Sequence, residues 1–193
     1  MGLAESQRLL ARLATDAALR ARFAADPATV AAESGMDPAG SATLAALPIG
    51  PLDDFAGSLI NKRRGEVGSL LPMTVRALGL GRFAALFRRH ALGTVPAGIK
   101  KHRDDAVAFA ASLAAGSVDP PWIVDLARLE SAALLSHGAA RRWTALRLRH
   151  RPADLARAAA SGGPAPGPSP ALVCWFRLTP RGRLRRAVLT LPG

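Results

Sequence analysis

The sequence predicts a mainly α protein with a small β module at its end, which places it in the α+β class. In the first two thirds, apolar residues such as Leu9, Leu13 and Phe23 recur at helical spacing. In the segment RWTALRLRH, residues 142–150, the spacing of apolar residues falls to two, because Leu146 and Leu148 alternate with Arg147 and Arg149. The change of period predicts a change from helices to strands.

The charge of the chain changes at the same point. Residues 141–193 hold eleven arginines, no lysine and one acid, Asp154, for a net charge of +10. Residues 1–140 keep only +2 of the total of +12. The uneven distribution of charge along the chain is therefore more informative than the total.

The N-terminal segment, residues 1–50, is predicted to be helical throughout. We expect one helix that ends at Asp26 and Pro27, since the residue before proline is disfavoured in helices. Shorter helices follow over 27–34 and 38–47. The sequence PIGP, residues 48–51, predicts a hinge.

A second segment, residues 51–140, predicts a helical domain that docks on a partner. We expect a helix over 52–67, two short helices separated at residues 78–81, and two further helices in KHRDDAVAFAASLAAG and DPPWIVDLARLESAALLSH. Their shortness favours an orthogonal bundle over a long coiled coil.

The last segment, residues 141–193, predicts a β-α-β-β module with a three-stranded antiparallel sheet. After the strand near residue 144 we expect a helix over 152–161, a loop without regular structure over 162–170, and strands over 172–178 and 183–191 joined by the turn TPRG. So small a sheet buries little surface, and it should therefore pack on the helices.

Few residues are candidates for catalysis or for a cofactor. The single cysteine, Cys174, excludes an internal disulfide. The segment HRDD, residues 102–105, has metal-binding side chains, although its acids also suit a helix N-terminus. In DLARLE, residues 125–130, the charges could form a buried network or a solvated pair. We expect no enzyme activity and no cofactor in this chain, and, without a signal or membrane segment, a cytoplasmic location.

Three hypotheses account for the basic hairpin. Arginines with nearby tryptophans are typical of nucleic-acid binding, but there is no recognition helix. An exposed strand edge could instead add an extended peptide as a further strand. The arginines could also simply keep the edge of the sheet solvated.

The central segment resembles a known family. The order of motifs is Arg63 or Arg64 and Val67 before Leu71-Pro72, then Gly79, Phe83 and Phe87, then His102, Asp105 and Phe109, then Pro121-Trp122 and the run Asp125 to Glu130. This set, over roughly residues 52–136, resembles the MbnC/HvfC/BufC family of partner subunits in the biosynthesis of methanobactin-like and bufferin-like ribosomal peptides.

The resemblance implies a non-catalytic subunit that forms a complex with a TIM-barrel multinuclear iron oxidase, which would hold the iron and modify cysteines of a precursor peptide. The helices would bind the oxidase and the C-terminal module, like a peptide-recognition element, would bind the leader. The expected oxidase-binding residues are Arg63, Arg64, Phe83, Phe87, His102, Asp105, Trp122, Asp125, Arg128 and Glu130. The expected peptide-binding residues, chosen from edge-strand chemistry, are Trp143, Arg147, Arg149, Trp175, Arg177, Arg183 and Arg185. The alternative is a nucleic-acid-binding regulator; a membrane partner is not expected.

Overall fold

The structure is a computed structural model and describes residues 3–96, 100–138, 142–162, 164–179 and 182–192. Within these ranges the element order is mostly helical with three strands at the end, which confirms the predicted α+β class. The helices are α1 Leu3–Thr15, α2 Ala17–Ala25, α3 Pro27–Glu33, α4 Pro38–Ala45, α5 Ile49–Leu70, α6 Pro72–Leu78, α7 Leu80–Gly93, α8 Lys101–Ala115, α9 Trp122–Ser136 and α10 Pro152–Ser161. The strands are β1 Trp143–Leu148, β2 Ala171–Phe176 and β3 Arg185–Thr190.

Two predictions for the N-terminal segment are wrong. The expected first helix is two helices, because the Asp16 side chain accepts a hydrogen bond from the Leu19 amide and caps α2. The expected hinge at residues 48–51 is largely the first turn of α5, which begins at Ile49. Pro51 is tolerated there because amides of a first helical turn have no partner within the helix.

The chain forms two compact units. The first comprises residues 1–63 and 91–95, and the second comprises residues 64–90 and 96–193. The predicted three-part division at residues 50 and 140 stays a prediction. In the first unit, helices α1 to α4 share a core whose buried side chains are Leu9, Leu13, Leu19, Phe23, Val30, Ala31 and Leu44.

The helical part of the second unit has an aromatic centre. The rings of Phe83, Phe87 and Phe109 are in mutual contact, with centroids 5.5 to 6.0 Å apart. The His90 ring packs on Phe87 and Phe109, and its Nε2 lies 3.0 Å from the Asp105 carboxylate. A buried ion-pairing group is therefore enclosed by apolar rings, where its polar atoms need such a partner.

The junction of α6 and α7 needs a glycine. Gly79 ends α6 with φ of 74°, a conformation that side-chain-bearing residues seldom adopt. Leu80 begins α7 at the next residue. The predicted break within residues 78–81 is confirmed and has a backbone cause.

The three strands form one antiparallel sheet, as predicted, and their order in it is β1-β2-β3. Helix α9 packs against β1 and β2, and α10 packs against α6 and α9, so the sheet is attached to the helices of its unit. The predicted turn TPRG lies partly outside the described residues, at positions 180 and 181. In the predicted loop 162–170, Ser169 donates a backbone hydrogen bond to Arg149 and Pro170 accepts one from Leu191.

No helix in the described ranges is long and apolar enough to cross a membrane.

Candidate functional site

The two faces of the sheet differ in burial. Strand register places Thr144 beside Trp175 and Leu146 beside Val173 on the face that meets the helices, which we call the inner face. Trp175 is 4% exposed and Val173 is fully buried. The inner face therefore supplies the core contact of the sheet.

The outer face is apolar in its middle and carries arginines at two corners. Trp143, Phe176 and Arg185 form one row across the three strands, and Arg147, Leu172 and Leu189 form another. Trp143 is 67% exposed and Leu189 is 55% exposed. An apolar patch of this kind, bordered by charge, is typical of an interaction surface.

The predicted peptide-binding residues separate into two groups. Five of them, Trp143, Arg147, Arg149, Arg183 and Arg185, are exposed.

Two of these residues have packing roles instead. Trp175 is buried, with the Arg186 guanidinium 5.9 Å from its ring centre. Arg177 donates to the Ser136 carbonyl from Nη1 at 2.9 Å, which fastens the end of β2 to the end of α9.

The backbone of each edge strand alternates between paired and outward groups. The Arg177 amide donates to the Arg142 carbonyl at 2.8 Å, so the backbone groups of Thr144, Leu146 and Leu148 face β2. Those of Trp143, Ala145 and Arg147 must point outward.

On β3 the same alternation follows from the bond between the Leu191 amide and the Pro170 carbonyl. It turns the backbone groups of Arg186, Val188 and Thr190 outward. Each edge thus offers three residues to a further strand.

A groove lies beside β1, between that strand and helices α8 and α9. It has a volume of about 360 Å³ and its lining is mostly small and apolar. The lining includes Val107, Ala110, Ala111, Ala132, Leu135 and Leu146. The alanines of α8 and α9 leave the space open, because larger side chains at the same positions would fill it.

A second cavity of about 600 Å³ lies past the end of β1 and shares Ala114 and Arg128 with the first. Its polar lining includes Asp119, Asp125 and Arg149. We call these two neighbouring cavities together the β1 groove, with an apolar half beside Leu146 and a polar half beside Arg149.

Asp125 organises the polar half. Its Oδ2 accepts from the Arg149 amide at 2.7 Å and lies 3.0 Å from His150 Nδ1, while Oδ1 accepts from Arg128 Nη1 at 3.3 Å. Three donors therefore surround a carboxylate that is only 4% exposed. Of the alternatives for DLARLE, the structure has the buried network at Asp125.

Glu130 performs a similar function one turn further along α9. Its carboxylate accepts from the amides of Met73 and Thr74 at 2.8 and 2.9 Å and from the Thr74 hydroxyl at 2.6 Å. These are amides of the first turn of α6, which has no cap from its own Leu71. Burial raises the pKa of Glu130, and the hydrogen bonds from Thr74 and Met73 oppose that rise.

Most of the expected oxidase-binding side chains pack inside the chain. Six are buried, namely Phe83, Phe87, Asp105, Trp122, Asp125 and Glu130. Arg63 is half-buried and donates to the carbonyls of Ala91 and Thr94 at 3.3 and 2.8 Å. Arg64, His102 and Arg128 are half-buried and keep some surface for a partner.

The segment HRDD does not act as a unit. Asp104 bonds to its neighbour Arg103, and Asp105 turns inward to His90. Within the described residues no three side chains of His, Cys, Asp or Glu lie close enough to hold a metal ion.

The sequence did not indicate the β1 groove or the role of His90. One usable signal was the density of alanine in AVAFAASLAAG, since a helix rich in alanine on the side facing a strand leaves space beside it. The His90 contact with Asp105 joins residues 15 positions apart and has no local pattern.

Comparison with known proteins adds one match. Residues 52–115, about one third of the chain, match the family model described as the SCO6045-like, C-terminal domain. The match runs from the first turns of α5 to the end of α8 and includes none of the strands. No curated protein matches the chain.

Proposed function

We propose that this chain is a non-catalytic accessory subunit that binds a ribosomally made precursor peptide and presents it to a TIM-barrel multinuclear iron oxidase for cysteine modification. The observation that carries the proposal is the small sheet with two open edges and exposed arginines, attached to a helical body. The iron would be held by the oxidase. The motif resemblance of residues 52–136 supplies the class of partner.

Strand addition suits the sheet for a physical reason. An extended peptide has few contacts among its own side chains to lose when it aligns with the edge of a sheet. Its main-chain hydrogen bonds then supply affinity that does not depend on a particular sequence. The positive charge of residues 141–193 would attract an acidic peptide over several ångströms. Affinity would therefore come from main-chain atoms, and selection of acidic peptides would come from the charged side chains.

The helices would provide the oxidase contact. Half-buried Arg64, His102 and Arg128 are the expected residues that retain surface. The buried members of the expected oxidase-binding residues would act indirectly, by keeping the helices in place. Phe83 and Phe87, which both pack on Phe109, are examples.

Reconstitution tests the proposal. The oxidase and its precursor are incubated with and without the full chain, and modified cysteines are counted by mass spectrometry. We expect modification to depend on the chain, and the chain to co-elute with the oxidase from a sizing column. Equal modification in its absence would refute the proposal.

Nucleic-acid binding is the second candidate, favoured by the exposed Trp143 beside arginines. It predicts an affinity for single-stranded or duplex oligonucleotides that falls steeply with salt, because phosphate contacts release counterions. A peptide held by main-chain hydrogen bonds should dissociate much less as salt rises. Tight, salt-sensitive oligonucleotide binding together with no peptide binding would replace the first proposal with this one.

A further inference from the structure

The two edges of the sheet are not equivalent. The helices lie against β1 and β2, and α9 contacts both. On β3, Val188 shares the inner face but is 45% exposed, and its neighbours Arg186 and Thr190 are exposed as well. A strand added to β3 would have solvent on both faces, whereas a strand added to β1 would place its inner side chains in the β1 groove.

We propose that the peptide adds to β1 in the antiparallel sense and carries the pattern acidic-x-apolar-x-apolar, where x is any residue. This inference rests on the proposed function and specifies which peptide the site takes. The antiparallel sense follows the rest of the sheet, in which both strand pairs are antiparallel.

The register of β1 sets the spacing. Inner-face residues of an added strand lie opposite Thr144, Leu146 and Leu148. The residue opposite Leu146 borders the apolar half of the groove, which Leu146 lines. The residue opposite Thr144 lies nearer the end of α9, since Ser136 is bonded to Arg177 at that end of the sheet, and we infer an apolar side chain there as well. Two apolar side chains at positions two apart therefore fit the space.

The acidic position in the peptide pattern follows from the polar half of the β1 groove. The residue opposite Leu148 faces the cavity that Arg128 and Arg149 line. The acids there are Asp125, whose oxygens already accept from three donors, and the exposed Asp119; His150 is also bonded to Asp125. Arg128 already donates to Asp125 from Nη1, so the exposed Arg149 guanidinium is the main partner here, and a carboxylate from the peptide would suit it.

Proline substitution separates the two edges without breaking the sheet. The amides of Ala145 and Val188 both point away from β2, so proline at either position removes an outward donor and leaves the internal ladder intact. The probes are two fluorescein-labelled synthetic peptides, one with Glu-x-Leu-x-Phe and one with the reversed order Phe-x-Leu-x-Glu. Binding to the full chain is measured by anisotropy, with circular dichroism as the check of folding.

We expect Ala145→Pro to weaken binding of the forward peptide about tenfold or more, and Val188→Pro to change it less than about twofold. The forward peptide should bind more tightly than the reversed one. The opposite effect of the two proline variants, equal binding of the two peptides, or no binding of either would overturn the inference.

Side-chain variants test the groove itself. Ala111→Trp should fill the apolar half and abolish binding, whereas Ser112→Trp, exposed on the same helix but outside the lining, should not. Arg149→Glu should weaken the Glu peptide and improve a Lys-x-Leu-x-Phe peptide, while the exposed Arg151→Glu should change both little. Unchanged binding in Ala111→Trp or Arg149→Glu would count against the assignment.

These outcomes are separable from those of the proposed function. If precursor modification requires the chain but is lost in Val188→Pro and kept in Ala145→Pro, only the choice of edge is wrong. If the forward peptide binds at β1 and the oxidase does not need the chain, only the proposed function is wrong.

Discussion

The helical part of the second unit and its sheet use their distinctive residues in opposite ways. In the helices, the residues of the family-like motifs are turned inward: Phe83, Phe87, Asp105, Asp125 and Glu130 are all buried. In the sheet module, five of the seven residues chosen for peptide binding are exposed. An ordered motif can therefore define how a domain packs, while the residues that remain exposed lie in a segment that the motif does not include.

The difference has a physical cause. A buried carboxylate is stable only where several donors reach it, so Asp125 and Glu130 each require residues from another element to be fixed in place. Exposed arginines impose no such requirement, and they remain available to a ligand.

The largest expected effect on stability is from Phe109→Ala. This side chain is fully buried and contacts Phe83, Phe87 and His90. We expect a loss of about 3–5 kcal/mol in the free energy of unfolding, measured in urea. Trp143→Ala, on the exposed face, should change it by less than about 0.5 kcal/mol. Similar losses in the two variants would remove the contrast between helices and sheet.

The second-largest loss of stability is expected from Asp125→Ala. It leaves the Arg149 amide and His150 without their acceptor in a partly buried setting, and we expect a loss of about 1–2 kcal/mol. Asp154→Ala is the matched control, since its pair with the largely exposed Arg157 should contribute less than about 1 kcal/mol. Thermal unfolding of both variants measures the difference. A null effect at Asp125 would mean that water replaces the carboxylate.

The effect of pH at Glu130 should be smaller. Because burial raises its pKa above the usual value of 4.5, the folded state holds the proton more tightly than the unfolded state. The wild-type chain should therefore gain stability relative to Glu130→Gln as pH falls through the raised pKa, and the gain should be complete below about 4.5. Urea unfolding of both proteins across the acid range measures it. A difference that is flat with pH, or that runs the other way, would contradict the raised pKa.

The smallest effect on stability is expected from the double variant Arg183→Glu with Arg185→Glu. Both residues are exposed, so the free energy of unfolding should change by less than about 0.5 kcal/mol. Affinity for an acidic peptide should fall no more than about fivefold, mainly through slower association. Stopped-flow measurement of the association rate tests this expectation, with Arg8→Glu, far away in the sequence, as the control variant. A larger loss than in Arg149→Glu would place the ligand near β3.

Much of the fold was predictable from local sequence. Proline at the first turn gave the start of α3, α4 and α10, and the alternation in RWTALRLRH gave β1. The division at Asp16 was not predicted, since a capping aspartate within a helical pattern also occurs on exposed helix surfaces.

The candidate site was predictable only in part. Exposed Trp143 and Arg147 follow from strand alternation and charge. The burial of Trp175 and the anchoring of Arg177 depend on which face of β2 meets α9, and sequence alternation alone does not say which face that is. The β1 groove depends on the spacing between α8 and β1, which is a tertiary property.

Helix α9 carries two carboxylates that hold different neighbours. Asp125 holds the residues that follow β1, and Glu130 holds the first turn of α6. A ligand that fixes α9 from the side of the groove would also fix the acceptor of the α6 amides. Because peptide binding and the order of α9 would then be coupled, amide hydrogen exchange at Met73 and Thr74 would slow when a peptide occupies the β1 edge of the sheet.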